Sequence, residues 1–250
     1  DRESLTKLIE NINFEAKNLT SQISIIVVND ASSQQVTDNY PNTENINTIE
    51  IINMKENRGH ARCIASGLKY IFEKKEFDFV IPMDGDGEDR PEEIKSFIQL
   101  AEQLNDKTIV GERTKRSESL FFKICYQLHK LLTLGFTGHS IKFGNFTCLS
   151  KSTIKKMLNE KATWNSFSGS LKKIEKDLFP IPSIRGTRYH GPSQMNFSSL
   201  LKHSLSIISV FRSTVLIRSA LFVILYILLI KSNASVITAI PLILLLVMIY

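Results

Sequence analysis

The sequence predicts an α/β domain on a doubly wound, mostly parallel sheet, with transmembrane helices at its C-terminal end. Three observations predict it. Short β-branched runs alternate with amphipathic helical stretches up to about residue 111, polar clusters close those runs, and almost everything from residue 214 to 250 is apolar. Alternating strands and helices call for parallel strands joined by crossover helices. The polar clusters then fall beyond the carboxyl ends of the strands, where open α/β sheets bind ligands.

Residues 2–15 read as a helix with Leu5, Leu8, Ile9 and Ile12 on one face. Residues 23–28 are a continuous β-branched run, the pattern of a strand covered on both sides, and 48–52 a shorter one. A helix over 58–72 turns Ala61, Ile64, Ala65, Leu68 and Phe72 inward, and 77–83 form the next strand. Pro91 opens a helix whose Ile94, Phe97, Ile98, Ala101 and Leu104 face the core, with Asp89 as its cap. The strand over 108–111 follows. Beyond Arg113 the alternation stops: an amphipathic helix over 119–136 carries Phe122, Cys125, Leu128, Leu131 and Leu132 on one side. A strand over 141–149, a short helix over 150–158 and a loop-rich stretch over 164–191 come next.

The amphipathic residues 195–211 lead into the apolar end and suit attachment at a membrane interface. Residues 214–230 and 234–250 are read as two spans, each near the lower length limit for a bilayer helix. The organisation is therefore a sheet domain over 1–195, an interfacial helix over 196–213 and a pair of spans over 214–250.

A net charge of +6 suits nucleic acid, an anionic membrane surface or a phosphorylated substrate equally well. The spans favour the membrane, so nucleic acid is not expected as a partner; a homo-oligomer remains compatible. Lys202 and Arg212 precede the first span, Arg218 stands near its start and only Lys231 lies between the spans, which places the large domain in the cytoplasm. The three cysteines, Cys63, Cys125 and Cys148, lie far apart, which suits a reducing compartment and neither a zinc site nor a disulfide framework.

The chemistry concentrates where the run 77–83 ends in Asp84-Gly85-Asp86-Gly87-Glu88-Asp89. Four carboxylates this close repel one another unless a cation or solvent lies among them. Asp84 and Asp86, two apart in extended backbone, point the same way. Hard oxygen donors of this kind suit Mg²⁺ or Mn²⁺, which often shares its shell with substrate phosphates. A solvated acidic turn is the plain alternative. Against it, Asn29-Asp30-Ala31-Ser32 and Gly111-Glu112-Arg113 stand at the ends of neighbouring strands and would meet the acids on one rim.

On these segments the chain resembles glycosyltransferase family 2, and within it the membrane-attached enzymes related to dolichol-phosphate mannose synthase and bacterial polyprenyl-phosphate sugar transferases. Val28-Asn29-Asp30-Ala31-Ser32 stands at the family's nucleotide-contacting turn, and Asn57-Arg58-Gly59-His60-Ala61-Arg62 through Gly67-Leu68 at its helix start. Asp84-Gly85-Asp86 is the DxD, Pro91-Glu92 the following helix start, and Gly111-Glu112-Arg113 takes the place of Gly-Ser-Arg. Gly144-Asn145-Phe146 and Arg188-Tyr189-His190-Gly191-Pro192-Ser193-Gln194-Met195 resemble later segments. A lone DxD is weak; these segments in order, followed by apolar spans, are specific.

The resemblance implies a GT-A fold and metal-dependent, inverting transfer of a sugar from a nucleotide-sugar donor to a polyprenyl phosphate, at a bacterial inner membrane. It assigns Asn29, Asp30, Ser32, Gly59 and Asp84 to the donor; Asp84, Asp86 and Glu88 to Mg²⁺ or Mn²⁺; Asp86 and Arg113 to catalysis; and Arg113 and Arg188 to the acceptor phosphate. By this resemblance the family's first strand is expected before residue 1, so the N-terminus reads as cut; within the chain, Asn29 replaces an acid, and Glu88 and Arg90 replace Gln and Pro. Whether Glu88 or Asp89 completes the metal site stays open. The alternatives are another lipid or cell-envelope glycan as acceptor, a nucleotidyltransferase on a similar sheet, which would need a Gly-rich phosphate loop that is not visible, and a non-catalytic membrane scaffold.

Overall fold

The computed structural model describes residues 2–34, 40, 43–104, 107–115, 120–191, 197–232 and 235–249. Its first helix, α1 (Arg2–Ala16), buries Leu8, Ile9 and Ile12 as the period of its apolar residues requires. β1 (Ile23–Asn29) pairs in parallel with β2 (Ile46–Asn53). α2 (His60–Lys74) crosses back over β1, and the approach is close: a Cβ on Gly67 would stand 3.0 Å from a Val28 methyl. This packing fixes where the start of α2 lies relative to the end of β1.

The second sheet has the order β3-β5-β4-β6, formed by β3 (Phe79–Val80), β4 (Thr108–Lys115), β5 (Phe143–Ser150) and β6 (Leu178–Ile184). β5 runs antiparallel to both β3 and β4, and only β4 and β6 are parallel. The expectation of one mostly parallel sheet is thus corrected to a mixed α/β architecture, because the strand that returns after residue 141 inserts between β3 and β4 in the opposite sense. Strand alternation sends Val110 and Leu149 to one face and Ile109 and Cys148 to the other. The first face packs on Leu68 of α2 and on α5 (Lys151–Asn159) and α6 (Phe167–Ile174) through Ile154, Met157 and Leu171. The second packs on Phe97 and Ala101 of α3 (Ile94–Gln103), and α1 closes over α3 with Leu8 and Ile12 against Ile94 and Ile98.

Several boundaries move. β3 is two residues long instead of spanning 77–83. Pro82 has no N–H for a ladder, and the chain leaves pairing just before it. β4 runs on to Lys115, so Glu112 and Arg113 lie within a strand rather than in a loop beyond it. The stretch read as loop-rich holds α6 and β6. β6 was hidden by Pro180 and Pro182; it is an edge strand, the one place in a sheet where missing N–H groups of one parity are tolerated. A short 3₁₀ turn, Pro91–Glu93, precedes α3 with Arg90 at its cap, so Asp89 does not cap that helix.

Ser150 ends β5 and caps α5, its hydroxyl accepting from the Thr153 amide at 3.3 Å. Ser150→Ala is expected to lower stability by about 1 kcal/mol, the usual value of such a cap. Thermal unfolding of the variant checks it; an unchanged midpoint would deny the cap any role.

The C-terminal end consists of α4 (Leu120–Thr137), which lies earlier in the chain, with α7 (Phe197–Val210), α8 (Arg212–Ile230) and α9 (Val236–Ile249). Ile207, Val210, Phe211 and Val215 pack together, whereas Leu201 and Leu205 on the other side of α7 are exposed. Leu131 of α4 is exposed instead of inward, and Phe122, Cys125 and Leu128 fall outside the described side chains. Among the described residues one helix, α8, is long and apolar enough to cross a membrane. α9 has 14 residues and an internal Pro241, about 21 Å of rise, short of a bilayer core. Of the two expected spans, α8 thus stands as a candidate among the described residues. Arg218, read as a flank, sits inside α8, where it donates to the Gly135 carbonyl at the end of α4 (3.2 Å).

Candidate active site

The start of α2 organises the site. Asp30, just past β1, accepts hydrogen bonds from the amides of Arg58 (2.7 Å) and Gly59 (2.8 Å). Gly59 precedes the helix with φ +86, a left-handed conformation in which an L side chain is strained. The next residue, His60, places Nδ1 3.6 Å from Asp84 Oδ1. One helix terminus therefore touches Asp30 on one side and the acidic turn on the other. Asn29 folds back locally: its Oδ1 accepts from the Ser32 amide (3.0 Å) and its Nδ2 donates to Asn53 (2.9 Å). The Ser32 amide uses one of the two acceptor sites of the Asn29 Oδ1. Ala31 is held at φ +52, so the turn is tight.

The acidic turn is held from within and from outside. Asp89, buried, accepts from the Asp84 amide (3.0 Å), and Asp86 Oδ1 accepts from the Glu88 amide (2.9 Å). Asp84 Oδ1 also accepts from Asn145 Nδ2 on β5 (3.1 Å). From the segment after β6, Arg188 pairs with Asp86 Oδ2 at 3.0 Å and Arg185 pairs with Glu88. Gly87, buried at φ +87, lies beneath the Tyr189 ring, where a Cβ would collide with the ring carbons. The Tyr189 hydroxyl accepts from Asn11 of α1 at 2.7 Å.

Arg113 approaches the same region from β4. Its guanidinium lies over Gly144, where a Cβ would stand 2.8 Å from Nη2, and its charge acts on Asp89. Its strand neighbour Glu112 pairs with Lys142 (2.9 Å), and residues 192–195 of the last matching segment fall outside the described residues.

Charge crowding marks this turn. Burial first, then the Asp84 carboxylate, push Asp86 above the ordinary carboxylate range, and the same causes push Asp89 up to about 7. Arg185 is pulled down by burial. Beside Asp30, the Cys63 thiol is pushed up to about 12 by burial and its hydrogen bond to Asp30, and so stays protonated. A native carboxyl titrating near 7 holds its proton where the unfolded one, near 3.9, has lost it. Stability of chelator-treated protein is therefore expected to fall as pH rises from about 4 to about 7. Asp89→Asn should flatten that fall; an equally steep fall in the variant would remove Asp89 as its source.

Asp84, Asp86, Glu88 and Asp89 offer only hard carboxylate oxygens, and their mutual repulsion is what a divalent cation relieves. By donor type they fit Mg²⁺ or Mn²⁺. As arranged here, no three such groups converge on one point among the described residues, since Asp86 and Glu88 are turned onto arginines. Sequence reasoning missed Arg185, Asn145, His60, Tyr189 and Asn11 as neighbours of the turn. Arg185, three residues before Arg188, was the one with a readable signal.

Residues 2–177 match the profile of glycosyl transferase family 2. The chain belongs to that family. Its similarity extends to the undecaprenyl-phosphate 4-deoxy-4-formamido-L-arabinose transferase of Yersinia pestis (strain Pestoides F), 30% identical over 153 residues, 61% of this chain and 45% of the relative. The enzymes of the same name from Photorhabdus laumondii (28% over 215 residues, 80% of this chain and 62% of the relative) and Serratia proteamaculans (26% over 228, 86% and 65%) are also similar. The chain thus spans 45% to 65% of the length of these curated relatives. As a family 2 chain, it carries Asp30, the DxD acids and Arg113 within the matched segment, while Arg185 and Arg188 lie beyond it.

Proposed function

We propose that this chain carries out metal-dependent glycosyl transfer from a nucleotide-sugar to a lipid phosphate at a membrane surface. The observation that supports the reading is the shared terminus of α2, which touches both Asp30 and Asp84 and so holds the two family segments side by side. The named activity of the similar proteins supports a polyprenyl phosphate as acceptor.

Asp30, fixed by two backbone amides, holds the nucleoside end of the donor. Asp84 and Asp86, with Glu88 or Asp89, would hold the divalent ion. When bound, such an ion neutralises the charge that accumulates on a departing diphosphate. A lipid phosphate is already an anion near neutral pH, so the protein needs no strong general base. Its task is to bring two mutually repelling anions together, and Arg113, on a rigid strand over Gly144, positions the acceptor phosphate. An acceptor oxygen then bonds to the sugar carbon as the bond to the diphosphate breaks, with inversion. α8, which is largely unburied, anchors the domain, and the exposed Leu201 and Leu205 of α7 rest at the interface.

The test is nucleoside diphosphate release by membrane-embedded protein given Mn²⁺, a panel of nucleotide-sugars and polyprenyl phosphate. Release should require the phosphate; equal release with neutral polyprenol would move the acceptor to another lipid or glycan.

A further inference from the structure

We infer that Arg185 and Arg188 form a built-in counter-cation strap, holding Glu88 and Asp86 while no divalent ion is bound and releasing them to the ion in exchange for diphosphate oxygens. The inference rests on the proposed reading of the site. It starts from how the segment 185–189 is fastened. The Gly186 amide donates to the Glu88 carbonyl (2.8 Å) and the Tyr189 amide to the Asp86 carbonyl (3.0 Å). The Tyr189 ring covers Gly87, and its hydroxyl is tied to Asn11. None of these contacts uses a carboxylate. The fastening therefore survives when the carboxylates change partner, whereas the two arginine pairs do not.

Burial turns release into exchange. The side chains of Glu88 and Asp86 are 13% and 20% exposed, and those of Arg185 and Arg188 29% and 25%. A desolvated charge that loses its partner is costly unless another takes its place. A divalent ion is the replacement for the carboxylates. Anionic oxygens are the replacement for the arginines, whose planar forks match phosphate geometry. Arg188 also shows what it lacks: among the described residues its buried Nε has no hydrogen-bond partner, so the pair with Asp86 leaves part of the guanidinium unsatisfied. Ion and strap contend for the same oxygens, so the strap weakens ion binding when no diphosphate is present to receive the arginines.

The experiment titrates Mn²⁺ alone, without nucleotide, into the full chain in detergent, with free ion followed by electron paramagnetic resonance. Arg185→Gln and Arg188→Gln are each expected to bind Mn²⁺ about tenfold more tightly than the wild type, the scale of one nearby charge removed. Arg185→Lys and Arg188→Lys, which keep the charge, should stay near wild type and control for misfolding. Hydrogen exchange at the Gly186 and Tyr189 amides should stay slow when Mn²⁺ is added. Gln variants that bind no more tightly than wild type overturn the strap and leave an ion site in place. Loss of amide protection on Mn²⁺ addition overturns the fastening. Absence of Mn²⁺ binding in every variant overturns both the strap and the ion's part in the proposed function, while glycosyl transfer itself is read separately from product release.

Discussion

Asp86→Ala is expected to lose glycosyl transfer by about 10²–10³-fold, the scale on which single groups that stabilise developing charge are felt. The carboxylate lies between an ion pair with Arg188 and the Glu88 amide, in the middle of the acidic turn. The backbone bonds that fasten the turn, from Gly186 and Tyr189, use carbonyls and remain in the variant. Asp86→Asn makes the sharper comparison. It keeps shape and acceptor oxygen but removes a charge that burial and Asp84 already disfavour. It should therefore fold at least as well as the wild type without chelatable metal, yet transfer sugar as poorly as the alanine variant. Product release and thermal unfolding, measured on the same preparations, check the pair. Near-normal transfer in either variant removes Asp86 from the chemistry.

Gly87→Ala is expected to destabilise the chain by about 2–6 kcal/mol, from two separate causes. A left-handed φ of +87 costs a non-glycine residue about 1–3 kcal/mol, and the new methyl would collide with the Tyr189 ring, an overpacking cost of similar size. Because Tyr189 and Arg188 are neighbours, displacing the ring also draws the guanidinium from Asp86, so transfer should fall with stability. A second substitution separates the causes: Tyr189→Ala in the same chain should recover the steric part and leave the backbone part. Chemical denaturation of the single and double variants measures both. Wild-type stability in Gly87→Ala would mean that the turn has another accessible conformation.

Much of this arrangement was legible in the residues, for identifiable reasons. The helices α1, α2 and α3 announced themselves because their apolar residues recur with helical period on a face that is buried. Asp30 and the DxD acids were legible because they combine strand ends with residue types that chemistry needs. What was not legible depends on partners distant in sequence. β5 inserts antiparallel between β3 and β4, a pairing that no local pattern records. β6 carried two prolines that argue against a strand unless it is known to lie at an edge. The partners of the acidic turn come from α1, β5 and the segment after β6, namely Asn11, Asn145, Arg185 and Arg188. The family resemblance singled out Arg188, with Arg185 three residues before it, but nothing in the spacing of Asn11 and Asn145 says that they meet the turn. The apolar end was legible from hydropathy alone: α8 is long and apolar enough to cross a membrane, and α9 is described over 14 further apolar residues with Pro241 inside it.

The most direct measurement is the location of Mn²⁺ by anomalous scattering in crystals of the chain grown with a nucleoside diphosphate. The account predicts a single strong peak within coordination distance of Asp84 and Asp86, bridged to the diphosphate, with the nucleoside reaching Asp30. A diphosphate bound elsewhere, or bound in the same cleft with the Arg188–Asp86 pair intact and no metal peak in saturating Mn²⁺, would contradict it.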